Sequence, residues 1–88
     1  MAYEVRINAK AQATLDRLHA ANSIIGEQIE DVLDLLEQTP AACEHEPYPY
    51  ERGAAFLTQV LGTSWFVVWI YAPSELQVVL VAKIDQLP

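Results

Sequence analysis

The chain is poor in positive charge. Its 88 residues include five lysines and arginines against twelve aspartates and glutamates, which gives a formal net charge of −7. From Leu18 to Glu51 there is no lysine or arginine at all. Proteins bind nucleic acid through basic residues that displace the counterions of phosphates. The composition therefore argues against direct binding to nucleic acid, and it fits either a well-solvated surface or a partner with a basic segment.

Cysteine and long hydrophobic runs are also scarce. A single cysteine cannot build a disulfide framework, and no apolar run reaches the roughly 18 residues that span a bilayer. The opening residues, MAYEVRINAK, alternate and carry charge, unlike a secretory signal peptide. We therefore expect one soluble, cytoplasmic domain over residues 1–88 that does not enter a membrane.

Hydrophobic periodicity predicts one strand, two helices and three further strands, in that order. Asn8 caps the first helix, which ends near Ala20; Asn22 or Ser23 caps the second, which Pro40 stops. The strands are predicted at 3–7, 54–61, 65–71 and 76–84, and the proline-rich segment 41–53 is predicted to be a loop. Both helices lie between the first strand and the others, so they cover only one face of the sheet.

The strand at 65–71 is apolar on both of its faces, because side chains alternate along a strand. Trp65, Val67, Trp69 and Tyr71 share one face, and Phe66, Val68 and Ile70 share the other. Because the helices cover only one side of the sheet, the apolar face on the other side is exposed to solvent unless another segment or a partner covers it. An exposed apolar face of this kind is typical of an interaction surface.

This layout resembles the RelE/ParE toxin superfamily of bacterial type II toxin–antitoxin systems over essentially the whole chain. The resemblance rests on the opening strand Tyr3-Glu4-Val5-Arg6-Ile7, the helical hairpin ended by Thr39-Pro40, the strand Trp65-Phe66-Val67-Val68-Trp69 and the last strand at 76–84. It implies an α+β fold, β-α-α-β-β-β, in which a curved antiparallel sheet has a two-helix hairpin on one face and an open concave face on the other.

The resemblance also implies a function. Some family members cut messenger RNA on the ribosome with basic residues of the concave face, others inhibit DNA gyrase, and an antitoxin neutralises both kinds. Here Phe66 occupies the arginine position, the strand at 54–61 has no lysine or arginine, and the sequence stops at Pro88 without a catalytic tail. Only Arg6, Arg52 and Lys83 remain as catalytic candidates, so we do not expect an active ribonuclease.

Two other groups of residues have a chemical and a structural interpretation. Cys43-Glu44-His45-Glu46 lacks the spacing and ligand number of a zinc site, so we expect a solvated acidic loop, no metal and no cofactor. Arg6 and Lys83 on the concave face either contact a phosphate or carboxylate of a partner, or form cross-strand ion pairs with Glu4 or another acid. We favour the ion pairs.

The face expected to bind a partner comprises Phe66, Val68, Ile70, Val79 and Val81. Its alternative cover is the chain's own loop, through Tyr48 and Tyr50. The first functional hypothesis is a toxin-like protein that binds an antitoxin, with a gyrase-type protein as its target. The second is a catalytically inactive homologue that forms a homodimer through this face or an edge strand. The third is a ribosome-dependent endoribonuclease.

Overall fold

A computed structural model describes residues 2–50 and 53–88, with only the backbone for residues 50, 53 and 54. Two helices, α1 (Ala9–Ala21) and α2 (Ser23–Gln38), follow the first strand, and a single 3-10 turn occupies Pro40–Ala42. The strands are β1 (Glu4–Ile7), β2 (Glu46–Tyr50), β3 (Gly53–Gln59), β4 (Trp65–Tyr71) and β5 (Val78–Gln86). They form one sheet in the order β1-β5-β4-β3-β2. The predicted α+β fold with a helical hairpin is confirmed.

The helices begin where their caps predict. The side-chain oxygen of Asn8 accepts a hydrogen bond from the backbone N–H of Ala11 at 2.8 Å, and that of Asn22 accepts one from Ile25 at 3.4 Å. Each cap satisfies a backbone donor that has no partner inside its helix. Within the described residues, neither helix is both long enough and apolar enough to cross a membrane.

The sheet is mixed, so the prediction of a wholly antiparallel sheet was wrong. β1 runs parallel to β5, with Arg6 beside Leu80, while β2, β3, β4 and β5 pair antiparallel in sequence. No tight turn joins β1 to β5, because the helical hairpin and three other strands lie between them. Their relative direction is therefore not fixed by a hairpin, which is the local feature that makes antiparallel pairs predictable.

A fifth strand, β2, occupies part of the segment predicted as a loop. Its five residues pair with β3 from Glu46 beside Leu57 to Tyr50 beside Gly53. Pro47 and Pro49 are two residues apart, so their nitrogens point to the same side of the strand. Since proline has no N–H, the unbroken ladder places both nitrogens on the free edge. Prolines mark edge strands as well as loops, which is why the pattern was misread.

The sheet separates two apolar clusters. The larger contains the inward stripes of both helices together with Val67 and Trp69 of β4. The smaller contains Phe66 and Val68 of β4 and no helical residue. The face of β4 that carries the tryptophans therefore meets the helices. We call the side of the smaller cluster the open face.

Candidate partner-binding surfaces

The centre of the open face is apolar but largely covered by the chain itself. Ala55, Phe66 and Val68 are buried there, and the half-buried Tyr48 of β2 packs against them. The expected cover by Tyr48 is therefore present in part, while the Tyr50 side chain lies outside the described residues. Phe66 and Val68 are consequently poor contact residues for a partner unless β2 moves.

A shallow pocket remains open beside this cluster. It has a volume of about 290 Å³, and Ile70, Leu80 and Ala82 line it, with Arg6 and Asn8 among its polar neighbours. Ile70 lies opposite Leu80 across the β4–β5 ladder, and Arg6 lies opposite Leu80 on the other side. Cross-strand partners share a face, so these three side chains belong to the open face. We call this the open-face pocket.

The placement of Val79 and Val81 on this face was wrong. Both are buried in the cluster beneath the helices, where Val79 pairs with Tyr71 and Val81 with Trp69. The register then shifts, so that Lys83 pairs with Val68 and Ala82 is left over. This irregularity breaks the alternation of side chains, as a β-bulge does. Val81 and Lys83 therefore lie on opposite faces, although they are two residues apart.

Arg6 is held by two carboxylates. Its two terminal nitrogens donate to the two oxygens of Glu75 at 2.9 Å each, and its Nε donates to Glu4. These hydrogen bonds, that of Glu4 first, raise the pKa of Arg6 above its ordinary value. The favoured interpretation of Arg6 as an ion-pair residue therefore matches the structure, because each of its three nitrogens donates to a carboxylate of the same chain.

Lys83 also has an acidic neighbour. Its Nζ lies 3.5 Å from a carboxylate oxygen of Asp85. The backbone N–H of Gln86 donates to Asp85 at 2.8 Å and lowers the pKa of that carboxyl, with a smaller contribution from Lys83. The third catalytic candidate, Arg52, lies outside the described residues. On adjacent strands, Arg6 lies opposite Leu80, three residues before Lys83, and each of these two cations has a carboxylate of the same chain beside it.

Cys43 and His45 make contacts within the fold. The buried Cys43 sulfur lies 3.7 Å from the Thr58 hydroxyl. The Nδ1 atom of His45 lies 2.6 Å from the Cys43 carbonyl oxygen, and its ring packs edge-on against Phe56 and Trp69. Residues 2–50 and 53–88 contain no group of three or more potential metal ligands close enough to hold an ion.

A second groove lies on the other side of the sheet, between α2, the 3-10 turn and the end of β3. Its volume is about 380 Å³. Val32 and Val60 form a buried floor, and Leu35 and Leu61 stand at the rim, 49% and 79% exposed. The other lining residues are Gln28, Asp31, Ala42, Cys43, Glu44, Thr58 and Gln59. Because this described lining has two acids and no lysine or arginine, we call it the acidic groove.

The acidic groove was missed in the sequence, although part of its signal is there. Ile24, Gln28, Asp31 and Leu35 recur at i, i+4, i+7 and i+11 along α2 and therefore share one helix face. This face lies beside the stronger apolar stripe that enters the core. Its two aliphatic residues, Ile24 and Leu35, therefore did not by themselves predict a second apolar surface. The sequence could not predict that Leu61 lines the same groove as Leu35, because only the tertiary structure brings the two residues together.

Comparison with known proteins identifies the fold. No family model matches the chain, and no curated protein matches its sequence. A solved structure, the YoeB/ParE toxin from Agrobacterium tumefaciens, matches 97% of this chain and 99% of its own with a TM-score of 0.74. The chain has a RelE/ParE-like fold. At 15% identity the RelE/ParE-like fold is what the two proteins share, and function has to be argued from this chain's own residues.

Proposed function

We propose that this chain is the toxin-like component of a type II toxin–antitoxin system, and that it acts in the cytoplasm by binding protein. The observation that carries the proposal is the chemistry of the open face. Its accessible pocket is lined by the aliphatic residues Ile70, Leu80 and Ala82. Its two described cations, Arg6 and Lys83, each lie beside a carboxylate of the same chain. The whole-chain likeness to a YoeB/ParE toxin supports the toxin-like part of the proposal.

Cleavage of RNA requires chemical groups that binding to a protein does not require. Attack by the 2′-hydroxyl needs a general base, a general acid and cationic groups aimed at the charge that develops on phosphorus. Arg6 already donates from all three of its nitrogens to Glu4 and Glu75. Carboxylates beside both cations would also repel the phosphate backbone. We therefore infer that binding to protein, rather than ribonuclease activity, is the function of this surface.

The cognate antitoxin is the first expected partner. The open-face pocket offers Ile70, Leu80 and Ala82 to an apolar side chain, with a volume of about 290 Å³. Filling the pocket removes half-buried aliphatic surface from water, which stabilises the complex by roughly 25 cal/mol for each Å² of apolar area buried. A gyrase-type protein is the target that fits such a surface, because the contact needs shape and apolar area rather than cationic chemistry.

Self-association is the second candidate, and the free edge of β1 favours it. The backbone N–H groups of Glu4 and Asn8 bond to Gln77 and Val81 on the β5 side. Because these groups alternate along a strand, those of Val5 and Ile7 face the opposite, outer edge. An outer edge of this kind can pair with a strand of a second copy and form a homodimer. The outer edge of β2, with two prolines, offers fewer donors.

Expression with and without the product of the adjacent gene tests the proposal. We expect that product to co-purify with the chain and to relieve any growth arrest. The double variant Arg6→Ala/Lys83→Ala should keep both effects, because the proposed contact is made by the aliphatic residues of the pocket, and Arg6 at its border is already paired with Glu4 and Glu75. Ile70→Glu should lose co-purification, whereas Leu76→Glu should not, since Leu76 is 95% exposed in a turn.

The same experiment separates the alternatives. Growth arrest that disappears in the Arg6→Ala/Lys83→Ala variant, with cut messenger RNA in the wild type, would establish a ribonuclease and contradict the proposal. Harmless expression with no co-purified partner and a stable homodimer would favour the inactive homologue. Circular dichroism of purified Ile70→Glu protein checks that loss of binding does not reflect loss of folding.

A further inference from the structure

The acidic groove is a surface that the proposed open-face function does not use. Its floor is buried and apolar, while Leu35 and Leu61 at its rim remain in contact with water. Exposed aliphatic side chains are ordinary when scattered singly, but two of them flanking a groove of about 380 Å³ form a patch. The patch carries charge of one sign only, from Asp31 and Glu44.

We propose that the acidic groove binds a basic amphipathic helix of the chain's protein partner. The inference rests on the proposed function, which supplies the partner, and adds the site and the chemistry of the segment. Leu35 and Leu61 contact the apolar face of that helix. Asp31 and Glu44 pair with lysines or arginines that flank its apolar face.

Charge complementarity supports a basic occupant. Every charged residue of α2 is acidic, and the segment that follows, up to the first residue of β2, adds two more acids. The full set is Glu27, Glu30, Asp31, Asp34, Glu37, Glu44 and Glu46. Like charges gathered on one side of a molecule raise the local potential and steer a cationic partner towards it. An acidic or neutral segment would gain apolar contact but would bring no charge to offset this field.

The geometry of α2 supports a helical occupant. Ile24 and Leu35, both exposed, stand on the same helix face as Asp31 and Gln28. Eleven residues separate Ile24 from Leu35, which corresponds to roughly 16 Å along the axis at about 1.5 Å per residue. A partner helix lying along α2 can match this distance with apolar residues three turns apart, which is how helices dock in grooves.

A second copy of the chain is a weaker match. Its cations Lys10, Arg17 and Lys83 line a groove between α1 and β5 that also holds Asp85. The fully described helix α1 exposes no large apolar residue that could fill the acidic groove. Two acidic grooves facing each other across a twofold axis would repel. The basic surface of a second copy therefore does not supply both the cations and the apolar side chains that the acidic groove would bind.

Titration of the chain with the purified product of the adjacent gene tests the inference by isothermal calorimetry. We expect Leu61→Glu to raise the dissociation constant about tenfold or more. Asp31→Lys/Glu44→Lys should weaken binding several-fold, and wild-type binding should weaken between about 50 and 500 mM NaCl. The matched controls Leu76→Glu and Asp16→Lys, exposed and away from the groove, should bind as the wild type does.

Hydrogen exchange on the complex identifies the segment of the partner that becomes protected. Protection of a lysine- or arginine-rich helix, lost with Leu61→Glu, supports the inference. Binding that is unchanged in the groove variants overturns it and leaves the proposed function standing, as does protection of an acidic or extended segment alone. Absence of any complex with wild-type protein overturns both. A homodimer that Leu61→Glu dissociates overturns the inference in favour of a second copy.

Discussion

At the scale of single residues, Thr58 joins two buried side chains. Its hydroxyl oxygen accepts a hydrogen bond from the indole N–H of Trp69 at 2.9 Å, and the Cys43 sulfur lies 3.7 Å from the same oxygen. Trp69 is fully buried and Thr58 nearly so. The indole N–H has no route to water, and a buried donor without a partner costs free energy. This hydroxyl therefore permits a tryptophan at the centre of the sheet.

Thr58→Val should destabilise the protein by about 1–3 kcal/mol, because it keeps the side-chain shape and leaves the Trp69 donor unpaired. Thr58→Ser is the matched control: it retains the hydroxyl and loses one methyl group, at roughly 0.8 kcal/mol. Urea unfolding of the two variants measures the difference. A Thr58→Val protein as stable as Thr58→Ser would show that the hydrogen bond contributes nothing net.

The sequence indicated the pairing of Arg6 with an acid but identified only one of its two partners. Glu4 is two residues away on the same strand, so its proximity followed from alternation. Glu75 is 69 residues away and reaches Arg6 only because β1 lies beside β5. The hydroxyl of Thr58 was equally unpredictable, since nothing local connects it to Trp69.

At the scale of elements, α2 is stable in spite of its charge. Its acids include the i, i+4 pairs Glu27–Asp31 and Glu30–Asp34, and its last turn contains no basic residue. Like-charge pairs at this spacing each cost a few tenths of a kcal/mol. The buried residues Ile29, Leu33 and Leu36 offset the repulsion through packing.

Asp34→Lys should stabilise the protein by about 0.3–1 kcal/mol at low ionic strength. The substitution replaces repulsion with attraction towards Glu30 and Glu37 and places a cation nearer the helix C-terminus. Asp34 is exposed, so packing is unaffected. Thermal or urea unfolding at low and high salt measures the effect, which should shrink as salt screens the charges. A loss of stability at low salt would show that Asp34 has a partner in the fold.

The elements were predictable where their signals are local. Caps and apolar stripes placed α1 and α2 within a residue or two, and the strand at Trp65–Tyr71 was predicted with its observed bounds. β2 was missed because prolines suggest loops. The faces of β5 were misassigned because Val79, Leu80 and Val81 are all apolar, so only pairing with β4 fixes which side each residue faces.

At the scale of the whole molecule, two grooves differ in the sign of most of their charged lining residues. Asp31 and Glu44 line the acidic groove, while Lys10, Arg17 and Lys83 line the groove between α1 and β5. The net charge of −7 discourages contact with a phosphate backbone. We propose that this RelE/ParE-like fold binds protein partners through the open-face pocket and the acidic groove.

The measurement that tests this account most directly is the mass of the complex formed by the purified chain and the product of the adjacent gene, from size-exclusion chromatography with light scattering. We predict a heteromeric complex that exceeds the 9.8 kDa of the chain and forms unchanged with the Arg6→Ala/Lys83→Ala variant. No complex at about 10 µM, together with ribosome-dependent cleavage of messenger RNA that the double variant lacks, would contradict it.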